Sequence, residues 1–431
     1  MTELIRNATV VNEGRTFVAS VLIEDEVIKH VFEGEDNVPL QLKEDIRIDT
    51  VTEGEGFFLI PGVIDEHVHF REPGLTHKAT IASESRKAVA GGVTSFMDMP
   101  NCIPQTTSIA LLEQKYDIAA QCSPANYSFY LGATADNLSE LEALDASTNC
   151  GIKVFMGSST GGMLLDDNRI LEDIFSHARV PIALHCEDQR IIAENARYYQ
   201  SLYGEDPDVR FHPLIRSEEA CYRSSAQAVE LAEKTGADIH ILHVSTQREL
   251  TLFHPGDVAE KHITAEACIA HLMYTDADYA KLGTAIKCNP AIKTEEDRNA
   301  LRQAVRDRII DTIATDHAPH TPADKQGGAL RAASGIAVLP HSLSLMLRLV
   351  SEEVFALTDV VRTMCHNPAT RYRIAQRGFI REGYKADLVL LSKDKEGHLS
   401  DISRVWVNGA VAFSDGMLHN DIHGQRLLFD R

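Results

Sequence analysis

The run Asp65-Glu66-His67-Val68-His69-Phe70-Arg71-Glu72-Pro73-Gly74 sets two imidazoles and a guanidinium at alternate positions. It follows an apolar stretch, Phe58-Leu59-Ile60-Pro61-Gly62-Val63-Ile64, that reads as a buried strand. Residues i and i+2 of a strand share a face. His67 and His69 therefore project together, and Arg71 follows them if the strand extends that far. Two imidazoles at a strand end suit a divalent transition metal. A guanidinium just beyond them suits an anionic substrate. The plain alternative is a pair of surface histidines on an edge strand, but acidic and histidine residues recur at the ends of later strands.

Those later positions are His185, before Cys186-Glu187-Asp188, then His243, and then Asp316-His317-Ala318-Pro319-His320. Met99-Pro100-Asn101 closes another apolar run. If the strand ends share one face, four histidines and an aspartate converge on a metal site. Lys153 stands inside the apolar run Gly-Ile-Lys-Val-Phe-Met, where a lysine is rarely buried without a partner. As an ammonium it would snorkel to the rim and be repelled by bound cations. After reaction with carbon dioxide it would be an anionic carbamate able to bridge two metals. Two Zn²⁺ ions held by that carbamate, Asp316 and a hydroxide keep a net positive charge, which draws an anion. Zinc also brings the pKa of bound water to ~7. His177, His240, His254 and His341 read as surface or core residues, whereas His271 could line the pocket.

The elements that must position these groups alternate short apolar runs with longer helical patterns, the signal of βα units around a parallel sheet. Candidate strands cover 63–70, 93–99, 127–132, 151–157, 181–186, 238–245, 264–269 and 311–316. The clearest helix runs from Ser217 to Lys234 and is closed by Gly236. Eight such units predict an α/β fold, a (β/α)8 TIM-type barrel, with catalytic groups at the C-terminal strand ends. A doubly wound open sheet is the alternative. Both chain ends read as short strands, such as Ala19–Ile23, Val27–Phe32, Ala386–Leu391 and Arg404–Gly409. They are expected to pair into one small β-sandwich domain, with 1–58 and 375–431 flanking a catalytic barrel at 59–374.

The 431 residues suffice for a large core, and 44% hydrophobic with 24% charged residues is ordinary for a globular protein. A formal charge of −21 argues against nucleic acid, whose phosphates need basic patches. Eight scattered cysteines without a CxxC pair suit a reducing, cytoplasmic setting. No run approaches the ~18 apolar residues of a membrane span. The expected partner is a small anionic molecule, and a homodimer is a candidate assembly.

His67-Val68-His69-Phe70-Arg71-Glu72-Pro73-Gly74, Met99-Pro100-Asn101 and Asp316-His317-Ala318-Pro319-His320 together resemble the amidohydrolase superfamily, and within it the dihydroorotases. The likeness extends from the N-terminal strands through Lys385-Ala386-Asp387-Leu388 to Val407-Asn408-Gly409. Hydantoinases lack the arginine, and allantoinases usually carry asparagine there. The resemblance implies reversible cyclisation of N-carbamoyl-L-aspartate to L-dihydroorotate in pyrimidine synthesis, with hydantoinase or allantoinase specificity as the alternative. It implies that His67, His69 and Asp316 bind the more buried metal, usually zinc. His185 and His243 would bind the second, and carboxylated Lys153 would bridge them. Arg71, Asn101 and His320 would hold the substrate carboxylate, Asn289 would add a contact, and Asp316 would carry the catalytic proton. The chain departs from the family in Ala270 before His271, and in Ala333-Ser334-Gly335-Ile336-Ala337 where a Pro-Gly-rich loop is usual. The loop Gly157-Ser158-Ser159-Thr160-Gly161-Gly162-Met163 is either a plain turn or a lid whose Ser159 and Thr160 hydroxyls reach the substrate. The second reading leans on a mobile loop with a threonine near its tip in the lysine-bearing dihydroorotases.

Overall fold

A computed structural model describes residues 1–34, 47–157 and 163–431. The proposed lid residues Ser159 and Thr160 lie outside the described residues. Strands β1 (Thr2–Asn12), β2 (Arg15–Glu24), β3 (Val27–Glu33), β4 (Thr50–Glu53) and β5 (Phe58–Pro61) come first. The central strands are β6 (Val63–Val68), β7 (Val93–Asp98), β8 (Asn126–Phe129), β9 (Leu131–Gly132) and β10 (Ile152–Met156). They continue with β11 (Ile182–Cys186), β12 (Ile239–Ile241), β13 (Ile263–Cys268) and β14 (Thr312–Ala314). Last come β15 (Leu388–Lys393), β16 (Leu399–Val407), β17 (Ala410–Ser414) and β18 (Met417–Leu418).

β6 to β14 form a parallel barrel, with β8 and β9 as one strand interrupted at Tyr130. It closes where β14 meets β6: Val68 bridges His317, His69 N donates to His317 O at 2.7 Å, and Thr315 Oγ1 donates to Asp65 Oδ2 at 2.6 Å. β6, β7, β10 and β11 are buried at every residue, as expected for strands covered on both faces. Helices pack outside them, among them Glu218–Thr235, which ends in left-handed Gly236. The barrel strands and these helices share the main core. Each large aliphatic side chain buried there stabilises the fold by roughly 1.5–3 kcal/mol.

Two ladders are shorter than predicted. The regular ladder of the sixth barrel strand covers Ile239–Ile241, beyond which Leu242 N and Val244 N still donate to Leu184 O and Glu266 O, and that of the eighth covers Thr312–Ala314. Just beyond these ladders His243 and Asp316 adopt left-handed backbone, with φ of +41° and +48°. The far end of the barrel is plugged by apolar residues that include Ile64, Met97, Tyr130 and Tyr372, joined by Leu427 and Phe429 of the C-terminal tail.

The two chain ends meet in a nine-stranded, mostly antiparallel sheet, ordered β18-β17-β16-β15-β5-β1-β2-β3 with β4 beside β1. The antiparallel pairing of β5 with β15, Pro61 opposite Leu388, joins the N-terminal to the C-terminal strands. This sheet has its own core around Ile5, Val21, Leu390 and Trp406. The architecture is the barrel plus small β-sandwich domain expected from the sequence.

Candidate active site

The C-terminal ends of the barrel strands surround one cavity. His67, His69, Lys153, His185, His243 and Asp316 all line it, as do Arg71, Asn101 and Asn289. His320 does not line it but stands behind Arg71, with Nε2 3.1 Å from Arg71 Nη2. His271 is turned away, its Nε2 3.0 Å from Pro290 O. His240 lies one layer deeper, hydrogen-bonded with Thr264 Oγ1 at 2.7 Å.

Asp316 Oδ1 lies 3.3 Å from His67 Nε2 and 3.0 Å from His69 Nε2. The opposite nitrogens are held from behind. His67 Nδ1 lies 2.9 Å from Glu266 Oε1, and His69 Nδ1 lies 2.6 Å from Asn101 Oδ1. Both partners are acceptors, so each Nδ1 carries the proton and each Nε2 turns a lone pair inward. A second pair faces this group: His185 Nδ1 lies 2.9 Å from His243 Nε2. His185 Nε2 is 3.0 Å from Glu187 Oε2, and Glu187 is gripped by Arg216 at 2.5 Å and 3.0 Å. The carboxylate thus stands beside the imidazole at ion-pair distance, on the side away from His243.

The donor set fits divalent cations. His67, His69 and Asp316 place ligand atoms within 4.8 Å of one another. His243 Nδ1 and Lys153 Nζ are buried without a hydrogen-bond partner among the described residues. Burial lowers the Lys153 pKa to about 8, although Glu266 and Asp316 pull the other way. A lysine poised near neutrality and out of water is chemically suited to add carbon dioxide. Burial alone would raise the Asp316 carboxyl; protonated His67 and His69, whose positive charge a metal ion would replace, lower it to about 2. Burial, reinforced by His185 and His67, keeps His243 well below its ordinary value and so neutral.

Three cavity residues strain the backbone. Arg71 has φ +69°, beside the +41° of His243 and +48° of Asp316. Such geometry costs on the order of 1–3 kcal/mol per residue and concentrates at functional sites. Gly335, at φ +147°, edges the cavity, and a Cβ there would lie 2.5 Å from Ala318 O. Only glycine fits.

Sequence reasoning gave no role to Glu266 or to the Glu187–Arg216 pair. Glu266 signals itself only as a charge inside the strand Ile-Thr-Ala-Glu-Ala-Cys. Arg216 lies in a connection 29 residues from its partner, so no local pattern links them.

The Amidohydrolase family model matches residues 220–413. A dihydroorotase of Halobacterium salinarum is 33% identical over 378 residues, covering 83% of this chain and 86% of that protein. An allantoinase of Bacillus velezensis is 28% identical, covering 90% and 84%. The L-hydantoinase structure from Arthrobacter aurescens superposes with a TM-score of 0.89 at 24% identity over 99% of each chain, which establishes the shared fold. The chain belongs to the amidohydrolase family and is a hydrolase. Among its curated relatives dihydroorotases predominate, with allantoinase at similar identity.

Proposed function

We propose that this hydrolase is a dihydroorotase, interconverting L-dihydroorotate and N-carbamoyl-L-aspartate in pyrimidine synthesis. The observation that carries the reading is Arg71. Its guanidinium is 6% exposed and lines the cavity next to the histidines. It donates to Pro319 O at 3.2 Å, and no carboxylate among the described residues lies within ion-pair distance of it. A buried guanidinium without a carboxylate calls for one from the substrate. A neutral hydantoin ring does not supply it.

His67, His69 and Asp316 would hold one zinc, His185 and His243 a second, and carboxylated Lys153 would bridge them. When bound, the metals supply an acidified water and polarise the scissile carbonyl. The chain does the rest. Arg71 and Asn101 seat the carboxylate, His320 backs Arg71 from outside the cavity, and Asn289 contacts the ring. Asp316, ionised at neutral pH, takes the proton of the attacking water and returns it to the leaving nitrogen. Cyclisation reverses these transfers.

Turnover of dihydroorotate, hydantoin and allantoin by metal-analysed protein tests the reading. Dihydroorotate should dominate. Arg71→Lys keeps the charge but loses the planar fork, and should cost roughly 2–3 kcal/mol in kcat/KM with metal content unchanged. Preference for a neutral ring, or an indifferent Arg71→Lys variant, would favour the hydantoinase or allantoinase reading that the 28% identical allantoinase keeps alive.

A further inference from the structure

His320 sits between two cations. Its Nδ1 lies 3.1 Å from Lys78 Nζ, and its Nε2 lies 3.1 Å from Arg71 Nη2 and 3.0 Å from Ser334 O. Burial, then Arg71 and Lys78, press the imidazole down to about 3, so it is neutral. A neutral imidazole has one N–H and one lone pair. Lysine ammonium can only donate, and the Ser334 carbonyl can only accept. Both are satisfied by one tautomer: lone pair on Nδ1 toward Lys78, proton on Nε2 toward Ser334 O. Arg71 then meets an N–H, not a lone pair. Two donors stand side by side at 3.1 Å, and an anionic oxygen that accepts from Arg71 draws the guanidinium off the N–H and relieves the conflict.

We propose that Lys78 is a positioning residue for the substrate anion, acting by holding His320 in the Nε2–H tautomer beside Arg71. The proposal rests on the anion-binding reading of Arg71 given above. Without Lys78 the other tautomer becomes available. Nε2 would then accept from Arg71, closing a donor–acceptor pair that needs no anion, and the Ser334 carbonyl at the cavity wall would lose its donor. Asp324 Oδ2, 3.4 Å from Lys78 Nζ, partly balances the ammonium, which is otherwise well enclosed, with 16% of its side chain exposed.

The test combines kinetics with a spectroscopic readout on the metal-loaded enzyme. Lys78→Met should raise KM for dihydroorotate about tenfold while kcat stays within about threefold, since the lost term concerns binding of a remote anionic group. Lys78→Arg, still a donor to Nδ1, should recover most of the loss. ¹⁵N-histidine spectra, with the His320 signal assigned from its absence in His320→Gln, should show the proton on Nε2 in the wild type and on Nδ1 in Lys78→Met. A wild-type proton on Nδ1 overturns the proposal without any variant having to fold. So does a Lys78→Met enzyme with unchanged KM, or with kcat reduced and the tautomer unmoved. Arg71→Met separates the two layers. If it raises KM while Lys78→Met does not, only the Lys78 proposal falls. If neither changes KM, the anion reading falls with it.

Discussion

The nine-stranded sheet and the cavity end of the barrel treat buried polar groups in opposite ways. In the sheet, Glu3 is 1% exposed, and its carboxylate accepts from Thr52 Oγ1 at 2.6 Å and Trp406 Nε1 at 3.0 Å. Asn12 exchanges two hydrogen bonds with the backbone of Ile380, each 3.1 Å. At the cavity, Lys153 Nζ, His243 Nδ1 and Asn289 Oδ1 are buried with no partner among the described residues. An unsatisfied buried polar group costs roughly 1–3 kcal/mol, and a left-handed side-chain-bearing residue a similar amount. A core built for stability alone would satisfy these atoms or replace them with apolar ones. Those at the strand ends are the groups whose partners would be metal ions and substrate under the proposed function.

The sharpest way to break this contrast is Lys153→Met. Methionine fills similar volume and removes the orphan amine. Activity should fall by about 10³-fold, the scale seen when a key electrostatic group leaves an active site. Thermal stability of the metal-free protein should hold or rise, because a buried unpaired amine is replaced by an apolar group. Native mass spectrometry of the wild type should show one added carbon dioxide that the variant lacks. Near-normal turnover in Lys153→Met would remove the bridging role.

Glu266 sharpens the comparison at intermediate size. Its Oε1 accepts from His67 Nδ1 at 2.9 Å and from His243 N at 2.8 Å, so one oxygen steadies residues from both halves of the site. Glu266→Gln keeps the shape and an acceptor oxygen but loses the charge. Metal affinity, measured by chelator competition, should weaken about 10–100-fold, as when the carboxylate behind a metal-binding histidine is lost. Wild-type affinity would mean that Glu266 only packs.

Much of this was legible in the sequence because barrel strands carry their own signature. Runs such as Ile182-Ala-Leu-His-Cys186 are apolar enough to announce a strand buried on both faces, and a histidine within such a run stands out. The two chain ends were legible for the opposite reason, since their strands lack the intervening helical pattern. The extents of the sixth and eighth strands were not legible. Nothing local tells that His243 and Asp316 turn left-handed, because that backbone is imposed by barrel closure and by the groups around the cavity. Glu266, Glu187 and Lys78 were missed for a related reason. Each acts on a residue brought near by the fold: Glu266 on His67, 199 positions away, and Lys78 on His320, 242 positions away.

The smallest catalytic effect is expected in the sheet. Glu3→Gln keeps one acceptor oxygen but turns an amide N–H₂ toward either the Thr52 hydroxyl or the Trp406 indole, and the indole can only donate. Stability should fall by roughly 1–3 kcal/mol, the cost of leaving a buried donor without its charged acceptor. Trp406→Phe removes the other half of the pair and should cost a similar amount, and the double variant should lose less than the sum because the two share one interaction. None of the three should move kcat/KM by more than about twofold at a temperature where the protein is folded, since neither residue lines the cavity. Urea midpoints and turnover measured on the same samples decide it. Activity that tracks the loss of stability, variant by variant, would show that the sheet and the cavity are one cooperative unit, and the division of labour drawn between them would fail.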